Sequence, residues 1–299
     1  MIPQLSTASV GSHITRSGVT FFPVYVHQSP PDILTGSTAQ VQVSELPGAR
    51  VPSLAVRNPH DVPVLITEGE TLNGGWQNRV VNLSVLVPAA GAVEIPVSCV
   101  EAGRWGGERD FGRRGPKAPR RVRRGATVSV TNNLRTQNNR HSDQGLVWSM
   151  IDHELDANQI VSETRAIDEL SQREFQDKHI GAAITELCER GPLPGQAGVV
   201  VAHGRRIVAA EVYASPAMLA ASWEAVVRGY LLEARGEPNG TPSATKALRF
   251  LNKVASRVVS SQPGLGLGEE LRISASSIAG QALLHEGSLI HVSAFALAA

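Results

Sequence analysis

The residues that could do chemistry in this chain gather in the run Glu70-Thr-Leu-Asn-Gly-Gly-Trp-Gln-Asn-Arg79 and shortly after it, at Glu101 and Arg104-Trp105. Glu101 and Glu70 are the candidate catalytic groups, since carboxylates placed near one another can divide acid and base work. Glu68, Asn73, Gly74, Gly75, Gln77, Asn78, Arg79, Arg104 and Trp105 are the candidate ligand-binding residues. The amides and arginines offer hydrogen bonds, the Gly-Gly pair permits close backbone approach, and the tryptophans suit a planar or sugar-bearing group. No metal site and no cofactor is expected, because His141, His153 and Glu154 lack a His-Glu-x-x-His pattern and solvated side chains account for them.

Strands must position these groups. Val62, Val64 and Ile66 share one face by period two, and Glu68 and Glu70 continue that row. Val81, Leu83, Val85 and Val87 form a second apolar row that Arg79 begins, and Val93, Ile95, Val97 and Cys99 form a third that Glu101 extends. If Pro88 to Ala92 closes a hairpin with Val87 opposite Val93, Arg79 stands opposite Glu101. The expectation is a cluster of Glu68, Glu70, Arg79 and Glu101 at one end of a sheet. Carboxylates on a core-facing row need a cation, a ligand or a raised pKa. The alternative is a structural Arg-Glu pair closing the end of a barrel or sandwich.

The chain has 299 residues, 42% hydrophobic and 18% charged, with a net charge of +1. That balance excludes an acidic disordered chain and a uniformly basic nucleic-acid binder. Two cysteines, Cys99 and Cys188, give no disulfide framework, and Cys99 on an apolar row is expected to pack. No leader pattern and no membrane-length apolar run is read, so the expectation is a cytoplasmic protein without a membrane partner. The oligomeric state is not legible.

Four regions follow. Residues 1–103 read as β-rich and carry the site. Residues 104–143 read as a basic flexible loop and connector: Arg104 to Arg124 holds nine basic against two acidic residues, a local +7. A solvated loop is the simpler reading, and nucleic acid, though disfavoured by the lack of stacking aromatics, is left open by this stretch. Residues 144–190 read as helical, with Val147, Ile151 and Leu155 stepping by four. Residues 191–299 read as a mixed region: a hairpin from Gly198 to Tyr213, a helix capped by Ser215-Pro216, a helix with Leu248, Leu251, Val254 and Val258 on one stripe, and two closing strands at 270–284 and 288–297. Gly264 to Gly268 precedes a strand and reads as a linker; His285 and His291 read as structural. The fold class is α+β: a mainly antiparallel β-barrel or sandwich front part, central helices and a smaller mixed rear part that could form one unit with the front.

Gly69 to Arg79, Ile95 to Trp105 with its Val-Glu-x-Gly-Arg-Trp motif, Gln144 to Trp148, Ala210 to Ser215 and Ile290 to Phe295 together resemble the ADP-ribosylglycohydrolase and rhodanese-phosphatase associated protein family. The resemblance implies a soluble bacterial protein connected with ADP-ribose or nicotinamide dinucleotide metabolism, and it supplies no catalytic residue. Two functions are then expected. One is an enzyme acting on an ADP-ribose-type or other phosphorylated ribosyl ligand, with Glu101 or Glu70 as acid or base, Arg79 and Arg104 on phosphate and Trp105 stacking. The other is a non-catalytic nucleotide-sensing or protein-scaffolding module.

Overall fold

The run Gly198-Val-Val-Val-Ala202 carries apolar residues at both parities, and it forms a strand covered on both faces. Val199 and Val201 pack against Leu219, Trp223, Val226 and Val227 of the helix Pro216–Leu231. Val200 and Ala202 pack against Ala247, Leu251 and Val254 of the helix Ala244–Ser256. This strand pairs antiparallel with Arg206–Tyr213 on one side and with Val19–Tyr25 on the other, so an N-terminal strand enters the sheet of the C-terminal region. The sheet is nine-stranded and continues through Ser288–Ala296, Ile278–His285, Glu269–Ala275 and Val258–Pro263. The stretch expected as one strand at 270–284 is two strands, parted by a turn at Ser276-Ser277. On the helix before them the buried residues are Ala247, Leu251, Val254 and Ala255, while Val258 already begins a strand.

The computed structural model of the chain describes residues 1–48, 50–235 and 240–297, with the side chains of residues 113 and 114 outside that description. Within it the fold is α+β. The front part is a six-stranded antiparallel sheet in the order Phe111–Lys117, Glu70–Gly74, Arg79–Val81, Ala92–Cys99, Ser53–Arg57, Gln42–Glu45. Its two edges meet where Ser44 bridges Asp110 and the Glu45 N–H donates to Arg109 O at 2.9 Å, which nearly closes a barrel. The apolar rows expected from period two, including Val64, Ile66, Val81, Val85, Val87, Ile95 and Val97, share one core. Outside it, Val80 and Val100 pack with Val147, Ile151 and Leu155 of the helix Gln144–Ala157.

Two expectations need correction. Val85–Val87 does not form a hairpin with Ala92–Cys99; it pairs with Val64–Ile66 in a separate three-stranded sheet with Leu34–Thr35. The chain breaks its ladder at Asn82 to Ser84, so the partner of Arg79 is Cys99, two residues short of Glu101. A shift of two preserves the face, so the parity held while the pairing did not. Nor is the basic stretch beyond Asp110 a flexible loop. Phe111–Lys117 is a barrel strand and Arg120–Gln137 an eighteen-residue helix. Lys117, Arg120, Arg121 and Arg123 are ordered by carboxylates distant in sequence, which charge composition cannot reveal. Arg113 and Arg114, counted in that run, have side chains outside the described part.

Candidate functional site

Between Val64–Ile66 and Glu70–Gly74 the chain turns through Thr67-Glu68-Gly69. Gly69 has φ +78°, and a Cβ there would lie 2.3 Å from Arg123 Nε, so only glycine makes the turn and admits the guanidinium behind it. The turn sends its two carboxylates to different places. Glu70 lines a cleft of about 630 Å³, with Thr67, Asn73, Lys117, Asp168 and Ser222 among its walls and the 84% exposed Phe175 on its rim. Glu70 Oε1 accepts from the Thr67 N–H and the Thr67 hydroxyl, both at 2.9 Å.

Glu68 faces inward. Its carboxylate takes Arg123 Nη2 at 2.8 Å, and the same nitrogen reaches Glu211 Oε2 at 3.0 Å. Lys117 Nζ donates to Thr67 Oγ1 and Glu68 O, both at 2.6 Å, and lies 3.0 Å from Glu211 Oε1. The Tyr213 hydroxyl donates to Glu211 Oε1 at 3.0 Å. Two cations thus face two carboxylates with all four side chains buried. Burial would raise the Glu211 pKa, but Arg123 and Lys117 outweigh it and hold the group well below the usual carboxylate range. Lys117 belongs to both places, lining the cleft and anchoring the network beneath it.

Asp168 brings a second carboxyl group to the cleft from the short helix Ile167–Gln172. Its Oδ1 is buried without a hydrogen-bond partner among the described residues. Burial first, then the negative charges of Glu101 and Glu169, push its pKa up. The cleft therefore holds one carboxyl group anchored by Thr67 and one biased toward its protonated form. Divided environments of this kind can separate an acid from a base.

Glu101 itself stands behind Asp168. Its Oε2 accepts from the Asn78 N–H at 3.1 Å and from Arg104 Nε at 2.8 Å, and Thr164 donates to Oε1 at 3.2 Å. Burial opposes ionisation there, but the Arg104 and Asn78 hydrogen bonds prevail and keep the carboxyl below its ordinary range. Arg104 donates further to Gly75 O at 2.8 Å and to Asn78 Oδ1 at 3.1 Å, and Gln77 Nε2 donates to Glu101 O at 2.9 Å. Gly75, at φ +55°, packs under the Phe111 ring. Trp105 is 54% exposed and meets Trp76 edge to face at 5.4 Å.

The expected convergence of Glu68, Glu70, Arg79 and Glu101 does not occur, although all four are buried. Arg79 is fully buried and spends itself on Gln77 O at 2.8 Å and Glu45 Oε1 at 3.4 Å, beside the buried Cys99 thiol that burial pushes up in pKa. Of the expected site residues only Glu70 and Asn73 line the cleft. Gly74, Gly75, Gln77, Asn78, Glu101 and Arg104 form the adjoining hydrogen-bonded cluster. Lys117, Asp168, Glu211 and Ser222 were missed. Glu211 had a signal, a lone carboxylate in the apolar run Val208 to Tyr213; Asp168 sits in no motif.

Ser84, His291 and Glu211 look superficially like a nucleophile triad, with Ser84 Oγ to His291 Nδ1 at 2.8 Å and His291 Nε2 to Glu211 Oε1 at 3.6 Å. All three are buried, so no substrate reaches the hydroxyl. No metal-ligand cluster occurs among the described residues, and none of their helices is long and apolar enough to cross a membrane.

A sequence model of the ARG and Rhodanese-Phosphatase-superfamily-associated Protein domain matches residues 7–295. The chain belongs to this family. The match takes in nearly all of the three sheets and every described residue lining the cleft, so the site lies within the domain that defines the ARG and rhodanese-phosphatase associated family. No curated protein and no solved structure matches the chain significantly.

Proposed function

We propose that the cleft binds the ribosyl portion of an ADP-ribose-type or related ligand and cleaves its glycosidic bond, with Asp168 as acid and Glu70 as base. The observation that carries this reading is the pairing within one cleft of an anchored Glu70 and a half-buried Asp168 whose Oδ1 has no hydrogen-bond partner among the described residues and whose pKa is driven up. Asp168 would give its proton to the leaving group as the bond breaks, and Glu70 would take a proton from the water that adds at the anomeric carbon. Asn73 and Ser222 add hydrogen-bonding groups suited to ribose hydroxyls. The phosphates stay at the rim, because Glu174 and Glu224 line the same cleft and both engage Arg228 on its wall. Glu101 takes a positioning role, its charge adding to the burial that raises the Asp168 pKa.

Incubation of wild type, Glu70→Gln and Asp168→Asn with ADP-ribose and nicotinamide dinucleotide, followed by product analysis, tests this. Turnover by wild type alone, with melting temperatures of the variants within a few degrees, is the expected result. Product formation by Glu70→Gln at the wild-type rate would refute the assignment. The family's naming for its association with ADP-ribosylglycohydrolase proteins supports the ligand class only in outline.

The sensor reading rests on a different observation. The charges beneath the cleft, Lys117, Arg123, Glu68 and Glu211, are mutually neutralised and make a fixed receptor floor. A ligand-induced rise in melting temperature without product would select it.

A further inference from the structure

A second, smaller cleft of about 250 Å³ opens on the other side of the segments that wall the first, where Arg120, Arg121, His203, Glu233 and Arg235 come together with Glu154. Lys117 and Leu232 face the large cleft; Arg120, Arg121 and the stretch from Glu233 to Arg235 face this one. Its chemistry is the opposite of its neighbour's.

Each arginine is fixed by one edge. Arg120 Nε donates to Glu233 Oε1 at 3.1 Å, and its backbone N–H donates to Glu233 Oε2 at 2.7 Å. Arg121 Nε lies 3.0 Å from Glu154 Oε1, and Arg235 Nη2 donates to Glu154 Oε2 at 2.7 Å. Glu154 and Glu233 are buried, at 3% and 6% exposure, so they hold the guanidinium groups from beneath. Both Nη atoms of Arg120 and Arg121, and Nη1 of Arg235, have no acceptor among the described residues. Three guanidinium groups against two carboxylates leave the lining at +1, and Arg124 lies close enough to Arg120 and Arg121 to feel their charges. A fourth donor or acceptor is present in His203, whose buried Nε2 has no hydrogen-bond partner among the described residues and stands 3.8 Å from Glu233 Oε1.

Planar forks held at fixed positions with their outer N–H groups unspent are suited to tetrahedral oxyanions. The volume is below the ~300–1,000 Å³ of sites for drug-sized ligands, which fits a phosphate or pyrophosphate group and not a whole dinucleotide. We infer that this cleft is a binding site for a small phosphate-bearing ligand, held by the outer edges of Arg120, Arg121 and Arg235 with His203 completing the shell. It stands independently of the chemistry proposed for the large cleft.

Calorimetric titration with inorganic pyrophosphate at constant ionic strength provides the test, applied to wild type, Arg121→Gln, Arg235→Gln and Arg57→Gln. Arg57 is an exposed cation on a barrel strand and controls for general electrostatics. Saturable binding by wild type, weakened at least tenfold in the first two variants and within twofold in Arg57→Gln, is expected. Because glutamine at 121 removes a partner of buried Glu154, Arg121→Lys is measured alongside; it keeps the cation, loses the fork and should bind severalfold more weakly at an unchanged melting temperature. No binding by wild type, equal weakening in Arg57→Gln, or full affinity in both Arg121 variants would overturn the site.

Discussion

Lys117 Nζ lies 3.0 Å from Glu211 Oε1, and both side chains are out of reach of solvent. The lysine ends a barrel strand beside Glu70, and the glutamate sits in the middle of the nine-stranded sheet. This pair, extended by Arg123 and Glu68, ties the two sheets together directly under the large cleft. Removing one member leaves a buried charge short of its partner, a change that costs about 3–5 kcal/mol. Lys117→Met should lower the urea-unfolding free energy by that order, and Lys117→Met with Glu211→Gln should cost less than the two single changes added together. Additive losses would mean that the two residues are not coupled.

The same network sets the acid limb of stability. Glu211 has its folded pKa depressed well below the unfolded value by Arg123 and Lys117. Its contribution is therefore complete above the ordinary carboxylate range and is lost as pH falls through that range toward the folded pKa. Urea midpoints of wild type should fall below about pH 4.5, and those of Glu211→Gln should fall less steeply over the same interval. Parallel curves would contradict the assignment.

His203 acts at higher pH. Burial, then the charge of Arg120, depresses its pKa to about 4, against the opposing pull of Glu154, with Glu233 also facing the ring. Between about pH 6.5 and 4 the unfolded chain binds a proton that the native imidazole refuses, so stability declines as pH falls through this window, by roughly 3 kcal/mol at most. His203→Gln should flatten the curve there while leaving the Glu211-dependent limb in place. An unchanged slope between pH 6.5 and 4 would show that the imidazole protonates freely.

Much of the architecture was legible in the chain. The alternation of Val81 to Val87 and of Val93 to Val97 put the right side chains in one core, and Ser215-Pro216 marked a helix start that the Ser215 hydroxyl indeed caps by accepting from the Met218 N–H. Period two fixes a face but not a partner, and the break at Asn82 to Ser84 sent Val85–Val87 to another sheet and left Arg79 opposite Cys99. The basic stretch misled for a related reason: Arg120, Arg121 and Arg123 are ordered by Glu233, Glu154 and Glu211, contacts spanning up to 113 positions that no local pattern records. Asp168 enters the cleft only through the tertiary fold.

Glu101 offers a check on the positioning role. Glu101→Gln removes a negative charge that helps to raise the Asp168 pKa and leaves Arg104 without its carboxylate. Both changes favour ionised Asp168, so the alkaline limb of the kcat/KM profile should move to lower pH. Stability should fall by about 1–3 kcal/mol from the orphaned hydrogen bonds. A lower kcat with an unmoved alkaline limb would remove the electrostatic link.

The most direct measurement is calorimetric titration of ADP-ribose into Glu70→Gln, which blocks turnover, and into the double variants that add Asn73→Ala or Trp105→Ala to it. Placement of the ligand in the cleft requires Asn73→Ala to weaken binding by tenfold or more and Trp105→Ala to stay within a few-fold of Glu70→Gln alone. The reverse ranking, with affinity lost on Trp105→Ala and kept on Asn73→Ala, would contradict it and move the site to the cluster around Arg104 and Trp105.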